Sequence, residues 1–571
     1  MRSVVQAVLS HAERHPERVC SRLASIRGGR LEAVGLRTWG EVATAAERAA
    51  GFLNARGIRS GDVVILMGTH HPDFHACWLG CVWLGAVPAV LAEPSVRVDR
   101  EVYWSRLMAL FQRIDPWAVL ADPEIVVDTA LSLGCAVHRY PEVVTLAGPR
   151  LRPSEPGPED LLLLQHSSGT TGLHKGVMLS HGAVMRHAAS YARALELDGS
   201  EVFASWLPLY HDMGLIACFV QPLISGIPLV WLSPFEWVAN PALLLHAVSE
   251  WRATHAWLPN FAFSFLAQRV REPPGAFDLS CLRAVVNCSE PVTAEAMDGF
   301  ARRFAADGLD PKALHACYAM AETVFAVSST TRAASPRRRR VDRRAWNEAH
   351  VAQLAPETAP HADTVVHVSS GLTVEGCEVR IGPFGGGAGS LEPGAAGRVW
   401  VRGAFLFDGF FRRPDLNVAL FDSQGFYDTG DLGYIDELAH LYVTGRLKDL
   451  VIVGGRNVYP HDIEAVVNDV PGVHSGRVVV FGVPHRGLAT EGLVALVESD
   501  LAEAHWPNVV RDVRASAPRR LDLDLLDVRV VPKGALRKST SGKLARAGNR
   551  EWYLEGRFGA VPVVVDATTR D

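Results

Sequence analysis

Residues 161–181 read LLLLQHSSGTTGLHKGVMLSH. Leu161, Leu162, Leu163 and Leu164 form an apolar run long enough for a buried strand. Ser167, Ser168, Gly169, Thr170, Thr171 and Gly172 follow as a hydroxyl- and glycine-rich loop, with Lys175 close behind. A second short strand at 177–179 leads into a helix that His181 begins. Glycines let successive backbone N–H groups turn inward at an anion; hydroxyls add donors and a lysine adds a point charge. That chemistry suits a polyphosphate. It is not the loop of hydrolytic NTPases, GxxxxGK followed by Ser or Thr: that pattern needs Gly where His174 stands and a hydroxyl where Gly176 stands. Taken alone, these residues leave an ordinary polar turn open.

Upstream, apolar strands at 63–67, 86–91 and 117–121 alternate with helices at 73–84 and 102–111. Such alternation builds a parallel sheet covered on both faces. Earlier still, a hairpin is expected around Arg27 to Arg30, and Thr38 with Glu41 forms a capping box for a helix. Downstream the pattern continues: helix 181–195, the segment SWLPLYHDMGLI at 205–216, strand 229–232, helix 241–251, strand 255–258, helix 261–271 and strand 282–287. That last strand ends in Cys288, Ser289, Glu290 and Pro291, and HACYAMAETVF follows at 315–325. Ligands of open α/β sheets sit at the carboxyl ends of strands. Both polar clusters are therefore placed to meet the 167–175 loop.

A chain of 571 residues is too long for one core. Its 48% hydrophobic and 21% charged content excludes a disordered chain, and a net charge of −5 gives nucleic acid no footing as a partner. Nine cysteines without a CxxC pair read as reduced thiols in a cytoplasmic protein. Cys77 and Cys81, with His71 and His75 upstream, read as one packed helix rather than a metal site. The N-terminus is too charged for a signal peptide, and no apolar run reaches the ~18 residues of a membrane span. Residues 332–365 break the pattern; their arginines at 337–340, 343 and 344 are expected to be solvated. Residues 374–445 turn to short strands and turns, including GFYDTGDLGYID at 425–436. After 445–448 the sequence starts afresh as a small α+β domain that closes with RKSTSGK at 537–543.

Seven ordered motifs, spanning nearly the whole chain, resemble the adenylate-forming superfamily of acyl-CoA synthetases, luciferases and nonribosomal-peptide adenylation domains. They are HSSGTTGLHKGV, SWLPLYHDMGLI, NCSEPV, CYAMAET, YDTGDLGYID, TGRLKDLVIVGGRNVYPHDIE and STSGKLAR. Within the superfamily, PLYHDMGLI, GRNVYPHDIE and the 335–365 insertion are most similar to fatty acyl-AMP ligases. Departures are Cys288 and Ser289 in place of Gly-Ala, His174 in place of Pro or Thr, and Met320 and Ala321 in the adenine-contact motif.

The resemblance implies an α/β fold: a large adenylation domain of layered sheets and helices (αβαβα) over 1–446, a hinge at 447–448 centred on Lys448, and a mobile α+β lid over 449–571. It implies ATP-dependent conversion of a carboxylic acid to an acyl-adenylate with release of pyrophosphate. Ser167, Ser168, Gly169, Thr170, Thr171, Gly172 and Lys175 would embrace the phosphates, and Glu322 would hold Mg²⁺. Tyr318 would stack on adenine, with Ala319 and Met320 beside it and Ser289, Glu290 and Pro291 opposite. Asp431, next to Arg446, would accept the ribose hydroxyls, and Lys543 would reach the carboxylate and α-phosphate. His211 would gate the acyl pocket or touch the carboxylate; a packed histidine is the other reading. Trp237, Trp257 and Phe261 would line the acyl pocket, and Trp257-Leu258 in place of two glycines would narrow it. The implied acceptor is the phosphopantetheine thiol of an acyl carrier protein. No carrier domain follows Lys543, so a separate carrier is expected. CoA is the alternative acceptor, and an inactive nucleotide-binding homologue is a third reading.

Overall fold

The computed structural model describes residues 3–560 apart from 28–29, 69, 94–99, 124, 126–133, 147, 168–174, 333, 361–362, 388, 454–455, 486–489, 522 and 539–542. The chain forms two compact units. The first comprises Met1–Arg337, Ser369–Val379 and Val401–Tyr427; the second comprises Arg338–Val368, Arg380–Trp400 and Asp428–Asp571. The second thus gathers segments from before residue 446 with the 449–571 segment.

In the first unit, among the described residues, a six-stranded sheet runs Ala136–Arg139, Ala118–Ala121, Val63–Met67, Val87–Leu91, Leu161–Ser167, Lys175–Ser180. Its strands are parallel except for the closing hairpin, where Ser167 faces Lys175. All five residues of Val63–Met67 are buried, as an apolar run covered on both faces requires. A nine-stranded sheet runs Leu372–Thr373, Ala326–Ser329, Leu314–Ala319, Ala284–Cys288, His255–Pro259, Phe203–Ser205, Leu229–Leu232, Val19–Arg27, Arg30–Thr38. The last two strands are the hairpin expected at Arg27 to Arg30.

Helix Phe74–Leu84 lies between these sheets and is buried all round. His75 meets Trp231 of the nine-stranded sheet at 4.7 Å, and Phe74 meets Tyr140, beside the six-stranded sheet, at 6.1 Å. This layering explains why Cys77 and Cys81 are packed side chains. Helix Trp39–Ala55 starts where the capping box puts it: Thr38 Oγ1 accepts from Glu41 N–H at 3.3 Å, and the Glu41 carboxylate accepts from Thr38 N–H at 2.8 Å.

The second unit centres on a three-stranded sheet of Val473–His485, Thr490–Ser499 and Leu525–Val531. Strand alternation splits its core. Val478 and Val480 pack toward helices Pro460–Asn468 and Trp506–Leu521, while Val479 and Phe481 pack with Tyr553 of helix Arg546–Leu554.

The arginine run corrects one expectation. Arg338–Asp342 is a strand paired with Thr364–Val368; Arg337, Arg338 and Arg344 are exposed as expected, whereas Arg339, Arg340 and Arg343 are tied in. Arg339 is buried, 2.7 Å from Glu437 and 3.6 Å from Asp436. Arg340 donates to the carbonyls of Glu357 and Ala359, and Arg343 to that of Thr364. The buried Arg339 guanidinium is tolerated because two carboxylates, Glu437 and Asp436, face its terminal nitrogens. Trp346 anchors the same segment: it stacks on Tyr459 at 5.4 Å and meets His367 edge-on at 4.5 Å. His367 Nδ1 in turn lies 3.1 Å from Tyr434 Oη.

Candidate active site

Lys175 opens the Lys175–Ser180 strand, which follows the 168–174 loop. Ser168, Gly169, Thr170, Thr171 and Gly172 lie outside the described residues, as does His174; Ser167 is the last residue of the strand before them. The lysine Nζ sits 4.9 Å over the ring of Phe410. Residues 407–411 run alongside. Met178 N–H donates to Gly409 O at 2.9 Å, Phe411 N–H to Gly176 O at 2.8 Å, and Phe407 N–H to Glu322 O at 2.9 Å. One short segment therefore holds the lysine strand and the Glu322 turn against its two ends.

Glu322 is half-buried in the turn Ala321–Thr323, directly after strand Leu314–Ala319. Tyr318 and Ala319 end that strand, paired with Ser328 and Ala326 on one side, and Ala316 of the same strand pairs with Asn287 on the other. Tyr318 is buried, with its hydroxyl 3.8 Å from Met320 Sδ. Ser289, one residue beyond its strand, has φ +72°, a left-handed conformation that costs an L-residue about 1–2 kcal/mol. Its hydroxyl lies 3.6 Å from Met213 Sδ. The Glu290 carboxylate accepts from Phe261 N–H at 2.9 Å, at the start of helix Asn260–Arg269, where the helix dipole favours negative charge. Pro291 is exposed.

His211 Nδ1 is 2.7 Å from Asp212 Oδ1, which also accepts from Met213 N–H at 2.8 Å. The residues that follow, Met213–Val220, form a π-helix buried along its length. A wholly apolar run carries no period to announce that form, and π-turns recur at functional sites. Gly214 is obligatory within it: a Cβ there would stand 2.2 Å from Pro208 O.

The aromatic candidates fall into two groups. Trp237 is fully buried and stacks on Trp206 at 3.7 Å with 5° between planes; Phe261 stands edge-on at 6.5 Å and is partly exposed. Trp257 is also fully buried, and its indole N–H donates to Tyr191 Oη at 2.8 Å. Trp257 thus fills the interior toward helix His181–Ala194.

The second unit holds the remaining candidates. Asp431 is buried opposite Arg446, with Arg446 Nε 3.1 Å from Asp431 Oδ1, so the expected neighbours are brought together. Lys448 is exposed in the turn Leu447–Asp449. Lys543 is half-buried; its neighbours 539–542 lie outside the described residues. Asn549, not singled out from the sequence, closes the base of that loop. It donates to the carbonyls of Arg537 and Ala545, both at 2.9 Å, and accepts from Arg537 N–H at 2.9 Å. His187 was also unannounced: its Nε2 accepts from Ala326 N–H at 2.9 Å. A lone helical histidine and a lone helical asparagine carry no local signal for such long-range bonds.

The model of the AMP-binding enzyme family matches residues 10–411. The chain belongs to the AMP-binding enzymes. The enzyme is 28% identical over 581 residues to the long-chain-fatty-acid–AMP ligase FadD32 of Mycolicibacterium smegmatis, covering 93% of this chain and 90% of the relative. It is 28% identical over 519 residues to the medium-chain-fatty-acid–[acyl-carrier-protein] ligase JamA of Moorena producens, covering 87% and 86%. A structure from a study of fatty acyl-adenylate ligases of E. coli and L. pneumophila superposes with a TM-score of 0.88 at 25% identity, over 96% of this chain and 97% of that one. The enzyme shares that layered α/β fold. Among the described residues, no helix is long and apolar enough to cross a membrane.

Proposed function

We propose that the enzyme joins a carboxylic acid, fatty or related, to the AMP moiety of ATP with release of pyrophosphate. It then passes the acyl group to the phosphopantetheine thiol of a separate acyl carrier protein. The observation that carries this reading is the 407–411 segment, which ties the Lys175 strand and the Glu322 turn into one assembly. A lysine directly after a Ser/Thr/Gly-rich stretch and a carboxylate on an adjoining turn suit a metal-bound polyphosphate. The names of the ligase relatives agree with that chemistry.

In this reading Ser167, Ser168, Gly169, Thr170, Thr171, Gly172 and Lys175 grip the phosphates. Tyr318, Ala319 and Met320 take adenine on one side, and Ser289, Glu290 and Pro291 on the other. Asp431, oriented by Arg446, accepts the ribose hydroxyls. His211, held by Asp212, stands at the acyl entrance, and Lys543 stabilises charge on the carboxylate and α-phosphate as the new bond forms. Glu322 suits Mg²⁺. Among the described residues no cluster of three His, Cys, Asp or Glu offers a cage, and magnesium is usually held by one or two carboxylates plus substrate phosphates. When bound, the ion would neutralise phosphate charge.

The acceptor reading draws on the insertion. In this reading 449–571 turns about Lys448 while the insertion stays with 428–446, so the turn would part Trp346 from Tyr459, and that contact would restrain the lid against the pose that CoA needs. The test is pyrophosphate release from ATP and Mg²⁺ over a panel of straight-chain and aryl acids, followed by addition of CoA or a holo-carrier protein. Release with at least one acid, and acyl transfer to the carrier in preference to CoA, is expected. Silence across the panel would sink the enzymatic reading, and faster transfer to CoA would replace the acceptor.

A further inference from the structure

Val324 adopts φ +65° and ψ −57°. Phe325 N–H donates back to Thr323 O at 2.7 Å, so residues 323–325 form a γ-turn of the positive-φ kind, which is rare and strained. Val324 is a β-branched residue, fully buried, in a conformation that glycine adopts freely. Strain of this kind, about 1–3 kcal/mol, persists only where the surroundings over-determine it.

Here they do. Met320 N–H donates to Phe325 O at 2.9 Å, and Val324 N–H to Ala321 O at 3.0 Å. The Thr323 hydroxyl, fully buried, lies 3.1 Å from Met320 O and 3.0 Å from Phe325 O, and its single proton is shared between these two carbonyls of the turn. Phe407 N–H holds Glu322 O from outside, and His187 Nε2 holds Ala326 N–H at the far end. The residue enclosed by all these bonds, with its side chain left half-buried, is Glu322.

We propose that Thr323 and Val324 are positioning residues that aim the Glu322 carboxylate at the metal-bound phosphates. This inference rests on the metal role proposed for Glu322. The γ-turn reverses the chain within three residues, and the Thr323 hydroxyl keeps the reversal from relaxing. Thr323→Val preserves shape and removes that hydroxyl; Thr323→Ser restores it.

The experiment is calorimetric titration of the full-length protein with ATP, with and without Mg²⁺, alongside thermal melting. The readout is the ratio of the two affinities, which a merely structural role would not move. For T323V that ratio is expected to fall about tenfold, with metal-free ATP affinity unchanged, and T323S is expected to stay near wild type. If T323V does not fold, Val324→Gly carries the test: it accepts φ > 0 but frees the turn, and the same fall in ratio is expected. A wild-type protein whose ATP affinity ignores Mg²⁺ would overturn the metal role, and this inference with it. Wild-type enhancement that survives intact in the variant would overturn the inference alone.

Discussion

His187 Nε2 accepts the backbone N–H of Ala326 at 2.9 Å, tying the helix that follows the Lys175–Ser180 strand to the strand that follows Glu322. The bond requires a neutral ring with its proton on Nδ1. Burial pushes this histidine's pKa down to about 3, and protonating Nε2 would also break the bond.

His75 and His255 are held at about 3, and His181 and His315 at about 4, all chiefly by burial. An unfolded chain takes up these protons near pH 6.5, whereas the folded chain does not. Stability is therefore full above about pH 6.5 and falls as pH drops toward 4, by up to about 1.4 kcal/mol per pH unit for each histidine. Urea midpoints measured at pH 7.5, 6 and 5 should decline steeply; equal midpoints at pH 7.5 and 5 would contradict these assignments.

Lys543→Ala is expected to lower acid-dependent pyrophosphate exchange by about 10²–10³-fold, the usual scale for losing a group that meets transition-state charge. ATP affinity should change far less. Exchange at a near wild-type rate would remove Lys543 from the site.

Trp346→Ala should loosen the insertion, because its ring joins Tyr459, His367 and Tyr434. Truncating a buried tryptophan costs about 3–5 kcal/mol, so melting of the second unit should come earlier. The ratio of CoA to carrier-protein transfer should rise, as it should on deleting 335–365. A ratio unmoved by both changes would detach the insertion from acceptor choice.

Trp257→Leu removes the indole that donates to Tyr191. Longer acids are expected to gain about tenfold in kcat/KM, the worth of one or two methylenes in an apolar pocket. Tyr191→Phe keeps the volume and should leave the length profile alone. Identical profiles for all three proteins would place Trp257 in the core, away from substrate.

What the sequence made legible was local or strictly ordered. The Thr38–Glu41 box needs only three residues of spacing, and the turn at Arg27 to Arg30 is flanked by its own two strands. Asp431 and Arg446 could be paired in advance only through the resemblance of their motifs to the family's. The rest depended on distance. Arg339 finds Glu437 98 residues away, so its burial could not be read from a basic run that looked solvated. The strain at Val324 is held by bonds within 320–325 and by Phe407 and His187 from two other segments, and valine has no propensity that would announce it. Trp237 and Trp257 were legible as aromatics, but their partners Trp206 and Tyr191 were not.

Asn549 holds Arg537 to Ala545 across the base of the Lys543 loop. With its two ends already joined, that loop has no closure entropy left to lose when substrate arrives. The loss falls once, during folding, so in the role proposed for it Lys543 would reach substrate without that cost being met again at each turnover.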